Sequence, residues 1–364
     1  MKYQDEFRNK ETARKLVAAI TEASKDIPQV KLMEVCGSHT MAICRYGIRD
    51  LLPENLRLLS GPGCPVCVTP GEYLDKAIAL ARLPDVSVVT FGDLIRVPGS
   101  TSSLEKEKAA GASVEVAFSP LESVELARSN PDRRVVFLGI GFETTIPSVA
   151  IAIKEAAEQK LDNFFVLCGH KLMPPALKAL AEGPTQINGL ICPGHVSAII
   201  GSRAYEFIPR DYSIGCVVAG FEPLDILQSI HMLVKQIVDD NPRVENQYSR
   251  LVRPDGNKAG QRMIDEVFEP VDVEWRGIGV IPESGLRIRE KYAAYDVELN
   301  IEFTPEPTVE KAGCLCGEIL QGIKTPHDCP LFGRLCTPAE PVGACMVSSE
   351  GCCAASYRYE TVRE

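Results

Sequence analysis

The stretch RRVVFLGIGFETTIPSVAIAIKEAAEQKLDNFFVLCG, residues 133–169, decides the fold. It opens on an apolar, β-branched run (RRVVFLGIG, 133–141) and passes through a turn into SVAIAIKEAAEQ (148–159), which has helical periodicity. It then returns to a second apolar run, NFFVLCG (163–169). A strand without polar alternation is one covered on both faces, and a helix between two such strands is the crossover of a parallel sheet. The same pattern recurs outward from here, in KLMEVC (31–36), DVSVVTFG (85–92), GLICPG (189–194) and IGCVVAG (214–220). Helical patterns at 5–25, with Phe7, Leu16, Val17 and Ile20 on one side, and at 224–238 complete the alternation. The prediction is an α/β protein: two similar α/β domains with parallel sheets flanked by helices.

A partial internal echo points the same way. Gly92 to Pro98, Gly141 to Pro147 and Gly169 to Pro175 share one spacing, which predicts a proline-started helix after each strand. The expected units are residues 1–130, with the motifs CGSHT and CPVC, and residues 131–240. Beyond 240 the texture turns polar and turn-rich, with helix returning near 259–268 and a mixed stretch at 275–302. From Pro305 onward Cys, Gly and Pro dominate, so 241–364 is expected to contain a smaller Cys-rich iron–sulfur domain that a metal would stabilise.

At 364 residues, 45% hydrophobic and 24% charged, the chain has the make-up of a globular protein of two or three domains. A net charge of −10, with Lys and Arg scattered, argues against a nucleic-acid partner. No apolar run is long enough to span a membrane. The first fifteen residues, MKYQDEFRNKETARK, are too charged for a secretory signal, so a cytoplasmic location is expected.

Cysteine is the anomaly. There are fourteen, seven of them between Cys314 and Cys353. In a reducing compartment such a cluster reads as a metal or redox site. Cys314 and Cys316 are two apart, Cys329 and Cys336 follow, and Cys345, Cys352 and Cys353 trail behind. In extended chain, residues i and i+2 face one side ~6.6 Å apart, which suits two corners of a [4Fe–4S] cubane. A single zinc draws its sulfurs in to ~2.3 Å and favours C-x₂₋₄-C loops. Spacing therefore favours a cluster while leaving zinc open.

Two further thiol motifs lie near the start. In EVCGSHTMAIC, Cys36 ends a strand and His39 follows in the turn; in SGPGCPVCVTPGEY, Cys64 and Cys67 precede a helical pattern at 71–82. Cys64 and Cys67 can close a small disulfide loop, or can chelate a soft metal with Cys36 or His39 as a third ligand. Cys44, Cys168, Cys192 and Cys216 lie in apolar contexts and read as core. GIGFET (139–144) lacks the third glycine of a dinucleotide fingerprint, so Thr144 or Thr145 is expected to cap a helix instead. Glu143 and Thr144 would otherwise face the thiol sites from a strand end.

Together and in this order, CGSHT, GPGCPVC with TPGEY, GFETT, CGHKLMPPA, PGHVSAIIG, CLCGEIL and GACMVSSEGCCAA resemble the HypD family over roughly residues 30–357. The resemblance implies a scaffold for assembling the Fe(CN)₂CO group of [NiFe]-hydrogenases. It implies that Cys36, Cys64 and Cys67 bind iron transiently and carry thiol redox chemistry, with His39, Thr40 and Glu143 as candidates for supporting hydrogen bonds or proton transfer. It implies Cys314, Cys316, Cys329 and Cys336 as ligands of a [4Fe–4S] cluster, and partners of the HypC chaperone and HypE cyanide-donor types. The competing expectations are a [4Fe–4S]-dependent protein disulfide reductase and a zinc-stabilised interaction module.

Overall fold

The computed structural model describes residues 5–309 and 311–360. Its strands run β1 (Val30–Glu34), β2 (Leu56–Ser60), β3 (Val86–Thr90), β4 (Ser113–Val116), β5 (Arg134–Gly141), β6 (Phe164–His170), β7 (Gly189–Pro193), β8 (Gly215–Ala219), β9 (Val244–Asn246), β10 (Phe268–Trp275) and β11 (Gly279–Ile288). Two wholly parallel sheets result, in the orders β2-β1-β7-β8-β9 and β4-β3-β5-β6, with helices between successive strands. The α/β class, the parallel sheets and the Cys-rich C-terminal region are as the sequence predicts. The central strands β7 and β8 are buried throughout, while the edge strands β4 and β9 are not, which is why only the former read as continuous apolar runs.

The sheets do not follow the expected segments 1–130 and 131–240, whose outer companion limits, residues 1 and 364, lie outside the described residues. The first sheet takes β1 and β2 from the beginning and β7 to β9 from after residue 188; the second is built from β3 to β6 in between. Register shows the consequence: Leu32 pairs with Leu58 on one side and with Gly189 on the other. The chain leaves the first sheet through the CPVC loop and returns after the helix Met173–Ala181.

Alternation along the strands sorts the core into layers. Leu32, Ile191 and Val217 face an outer layer with Ile20, Ile226 and Ile230. Val135, Phe137 and Val166 do the same for the second sheet, against Val149 and Ile153. The opposite faces, through Met33, Val35, Val136 and Leu138, share one central core with Cys64, Cys67, Cys316, Cys336, Cys345, Cys352 and Cys353. The CPVC thiols and the C-terminal cysteines thus lie in one apolar layer.

The antiparallel hairpin β10–β11 was not foreseen; it covers the end of the second sheet. Trp275 is fully buried, stacks on Phe142 and donates Nε1–H to Ser284 Oγ at 2.8 Å. Of the three Gly-to-Pro echoes, Pro147 and Pro175 fall in the first turns of helices, whereas Pro98 follows the 3₁₀ turn Gly92–Arg96 in a loop. Thr145 precedes the helix Ile146–Glu158 without capping it, because its hydroxyl donates to Phe142 O instead. Among the described residues no helix is long and apolar enough to cross a membrane.

Candidate metal and thiol centre

In the first sheet the strand order reverses between β1 and β7, and the carboxyl ends there flank a crevice of the kind where α/β folds bind ligands. Cys36 stands at this point, as the residue preceding the helix Gly37–Tyr46. Glu34 is fully buried beneath it and accepts from Cys36 N at 3.1 Å and from Thr40 Oγ1 at 2.5 Å. Burial pushes the Glu34 carboxyl up to about 8 against those two bonds. Burial and the nearby Glu350 carboxylate push Cys36 up to about 12, so its thiolate calls for a cation as partner.

His39 lies wholly inside. Its Nε2 sits 2.9 Å from Gly220 O and 3.3 Å from Ala219 O, and since carbonyls only accept, Nε2 carries the proton. Burial holds the ring neutral, down to about 4. Nδ1 is therefore a bare acceptor, buried and without a partner among the described residues. Phe221 stacks between His39 and His195, with centroids at 4.9 and 4.1 Å.

The CPVC loop is fastened to this turn through glycines. Gly61 N donates to Glu34 O, and Gly37 N donates to Gly63 O. A Cβ on Gly63 would lie 2.1 Å from Cys36 N and 2.3 Å from Cys36 Cα, so only glycine permits this approach. Cys64 precedes the short helix Pro65–Val68, and its Sγ accepts from Cys67 N at 3.4 Å. Burial and Cys67 push the Cys64 thiol upward. Burial acts the same way on Cys67, but the adjacent Cys345 and Cys64 thiols outweigh it and bring Cys67 down.

The C-terminal cysteines fold back onto this site. Cys314, Cys316, Cys329 and Cys336 line one cavity, as their common motif requires, and Cys345 and Cys353 line it too. Among the described residues no three His, Cys, Asp or Glu side chains are drawn together closely enough to hold one metal ion. Six cysteine sulfurs around a single apolar cavity are nonetheless the donor chemistry of an iron–sulfur cluster, which takes four. Cys345 shares one core with Cys316, Cys352 and Cys67, and those three thiols together with burial push its own thiol well upward. The Cys314 and Cys345 thiols, helped by the Arg276 guanidinium, bring Cys316 well below its ordinary range. Cys345 and Cys353, whose place the spacing left undetermined, thus belong to the site; the signal for them was the motif GACMVSSEGCC itself.

The remaining segment, Ser348–Cys352, closes over Cys36. Ser38 Oγ donates to Glu350, and a Cβ on Gly37 would meet Glu350 Cβ at 2.6 Å. Arg276, another residue not foreseen, ties the CPVC side down: its N donates to Val68 O at 2.9 Å and its Nε to Thr69 O at 2.7 Å. Glu143 sits apart from the thiols. It follows β5 of the neighbouring sheet, accepts from Met173 N at 2.9 Å through Oε1, and has no partner for Oε2 among the described residues. Burial pushes it up to about 7. Thr144 is exposed; Cys44, Cys192 and Cys216 are buried in the core as expected, with Cys44 also engaged by Arg49 and Glu360, whereas Cys168 is half-buried.

The chain matches the HypD family model, described as the hydrogenase formation hypA family, over residues 11–360. It is 49% identical over 372 residues to the hydrogenase maturation factor HypD of Azotobacter vinelandii, a comparison covering 100% of this chain and 98% of that one. It is 47% identical over 373 residues to hydrogenase maturation factor HypD2 of Bradyrhizobium diazoefficiens, covering 100% and 98%. To HypD of Escherichia coli K12 it is 44% identical over 366 residues, covering 99% and 98%. With a family match along nearly its whole length and end-to-end relatives close to half identical, this chain belongs to the HypD family.

Proposed function

We propose that the protein is a cytoplasmic hydrogenase maturation factor that holds iron while the Fe(CN)₂CO group is assembled on it. The observation that supports this reading is the meeting of Cys36 with the CPVC loop through Gly63, while Cys64 and Cys67 of that loop share one core with the C-terminal cysteines. Cys36 and Cys67 hold the iron cargo as thiolates, soft donors suited to a metal that also takes cyanide and carbon monoxide. Cys64 pairs with Cys67 in a disulfide when no iron is held. His39, with Nδ1 as a bare acceptor, and Thr40, bonded to Glu34, set the hydrogen bonding around Cys36. Partners of the HypC and HypE types deliver and receive the group.

A [4Fe–4S] cluster, which exchanges single electrons, belongs in the cavity of the C-terminal cysteines, with Cys314, Cys316, Cys329 and Cys336 as its ligands. One observation favours a second set: Cys353 lines the same cavity as Cys314, Cys329 and Cys336, so it can take the fourth ligand position and leave Cys316 and Cys345 as the two thiols that are not ligands. Serine at each of the six cysteines in turn, followed by iron and sulfide analysis after anaerobic purification, separates the sets: the two non-ligands keep a full cluster.

The functional test is infrared spectroscopy of the protein isolated from cells making hydrogenase. Bands from bound cyanide and carbon monoxide, lost in Cys36→Ala with the cluster retained, are the expected result. A protein that reduces disulfides and never shows those bands would instead be the cluster-dependent disulfide reductase.

A further inference from the structure

Arg276 is fastened at two points and still has a donor free. It stands in the turn that joins β10 to β11, one residue after the buried Trp275. Its N and Nε are held by the carbonyls of Val68 and Thr69, the two residues that follow Cys67. Its Nη2 is buried and has no partner among the described residues. A guanidinium is charged, and a charged donor withdrawn from water calls for a negative acceptor.

The turn is pressed against the C-terminal cysteine segment. Gly277 has φ +69°, and a Cβ there would lie 2.3 Å from Gly317 Cα. In return, a Cβ on Gly317 would lie 2.3 Å from Gly277 O, which also accepts from Gln321 Nε2 at 3.0 Å. Arg276 therefore shares with Cys314 and Cys316 the wall of one cavity, of about 110 Å³. Organic ligands occupy ~300–1,000 Å³, so the acceptor belongs to the wall itself. Glu274 and Lys311 line the cavity as well, but both are exposed, where water and salt screen their charge. That leaves the sulfurs. A protonated thiol accepts poorly, whereas the sulfurs of a cluster carry negative charge and accept hydrogen bonds that set its potential.

We propose that Arg276 is a positioning residue of the iron–sulfur cluster, its free donor and its charge serving the Cys314–Cys316 side and holding the reduction potential up. The proposal rests on the reading of these cysteines as a cluster site, and Cys314 is a ligand in both sets given above. Reduction adds one electron, hence one negative charge, and neither forms nor breaks a bond. A half-buried cation beside the sulfurs favours that reduced state. The bonds to Val68 and Thr69 keep the guanidinium from turning out to water.

The test uses the full chain, purified anaerobically with its metals and reduced by dithionite. In Arg276→Gln the equilibrium for one-electron reduction is expected to fall about tenfold, a potential about 59 mV lower in an EPR-monitored titration. Iron and sulfide stay unchanged. Arg276→Lys keeps the charge and is expected to lose about threefold or less. A full cluster with an unshifted potential in Arg276→Gln overturns the proposal alone, because a merely structural arginine would alter stability and leave the potential in place. A second measurement does not depend on the variants folding. With ¹⁵N-labelled arginine in the unaltered chain, pulsed EPR of the reduced cluster is expected to show a nitrogen coupling, one that disappears in Arg276→Gln. Lack of any arginine coupling overturns the proposal. An unaltered chain without iron and sulfide overturns the cluster reading, and the proposal with it.

Discussion

The two sheets have the same plan and different fates. In each, the first strand to be made lies inside, the second beside it, and the third and fourth continue on its other side, so each reverses order once. At the first reversal stand Cys36, His39 and the Gly61–Gly63 loop, beneath Glu350. At the second, Phe142 is covered by Trp275, while Leu172 N donates to Ser284 O and Lys171 N to Gly141 O. Topology offers a crevice twice, and an aromatic hairpin closes one of them. The chemistry follows from what the loops carry rather than from the fold.

The largest effect should come from asking whether both ends tolerate a methyl group equally. Gly63→Ala places Cβ against the Cys36 backbone at 2.1 Å, which cannot rotate away; Gly139→Ala meets His170 Cε1 and Val166 Cγ1 at 3.0 Å and the Leu167 carbonyl at 3.3 Å, each much less close. Urea denaturation should show Gly63→Ala costing about 3 kcal/mol or more and Gly139→Ala about 1 kcal/mol. Iron content should fall in the first alone. Equal costs would mean that the closeness at Cys36 is not special.

Each end also buries a carboxyl, and pH distinguishes them. Glu143 is raised to about 7 and Glu34 to about 8, both by burial. The folded chain therefore holds these protons more tightly than the unfolded one. Their contribution is fully present below the unfolded value of about 4.3 and is lost as pH rises through the folded values. Glu143→Gln should remove the part of the decline that runs from about pH 4.3 up to about pH 7, of the order of 3 kcal/mol in all, and leave stability at pH 4 unchanged. Glu34→Gln should remove the part nearer pH 8. Identical profiles for the variants and the unaltered chain, followed by thermal melts, would show that neither carboxyl is titrating in this way.

The smallest effect concerns the plug. Trp275→Phe keeps most of the stacking on Phe142 and loses the bond to Ser284, so stability should fall by about 1 kcal/mol with cysteine-bound iron unchanged. A drop in iron would tie the hairpin to the first site after all.

What the sequence revealed depended on how local the signal was. Runs such as 133–141 and 214–220 became β5 and β8 because strands covered on both faces must be apolar throughout. β2, five residues with Arg57 pointing outward, carried no such run, and β10 hid its alternation behind Pro270. The sharing of one sheet by β1 and β7 leaves no trace in either strand. For the site, CGSHT and CPVC were legible as motifs, while their contact rests on Gly63, one glycine among 28. Cys345 was visible as a cysteine, but its place in one core with Cys67 and Cys316 comes only from the folding back of the last segment.

The interleaving of the sheets imposes an order in time. A ribosome releases β1 and the CPVC loop long before β7, the strand that Leu32 to Glu34 must pair with, and the segment around Cys345 to Cys352 comes later still. Until β7 arrives, the inner edge of β1 has no neighbour and the first three thiols have no enclosure. Such long-range closure is slow and leaves the nascent chain open to oxidation and to adventitious metals. Enclosure of the Cys36 and CPVC thiols is therefore an event of the finished polypeptide, and a chaperone that shields Cys36, Cys64 and Cys67 during synthesis would raise the yield of folded chain.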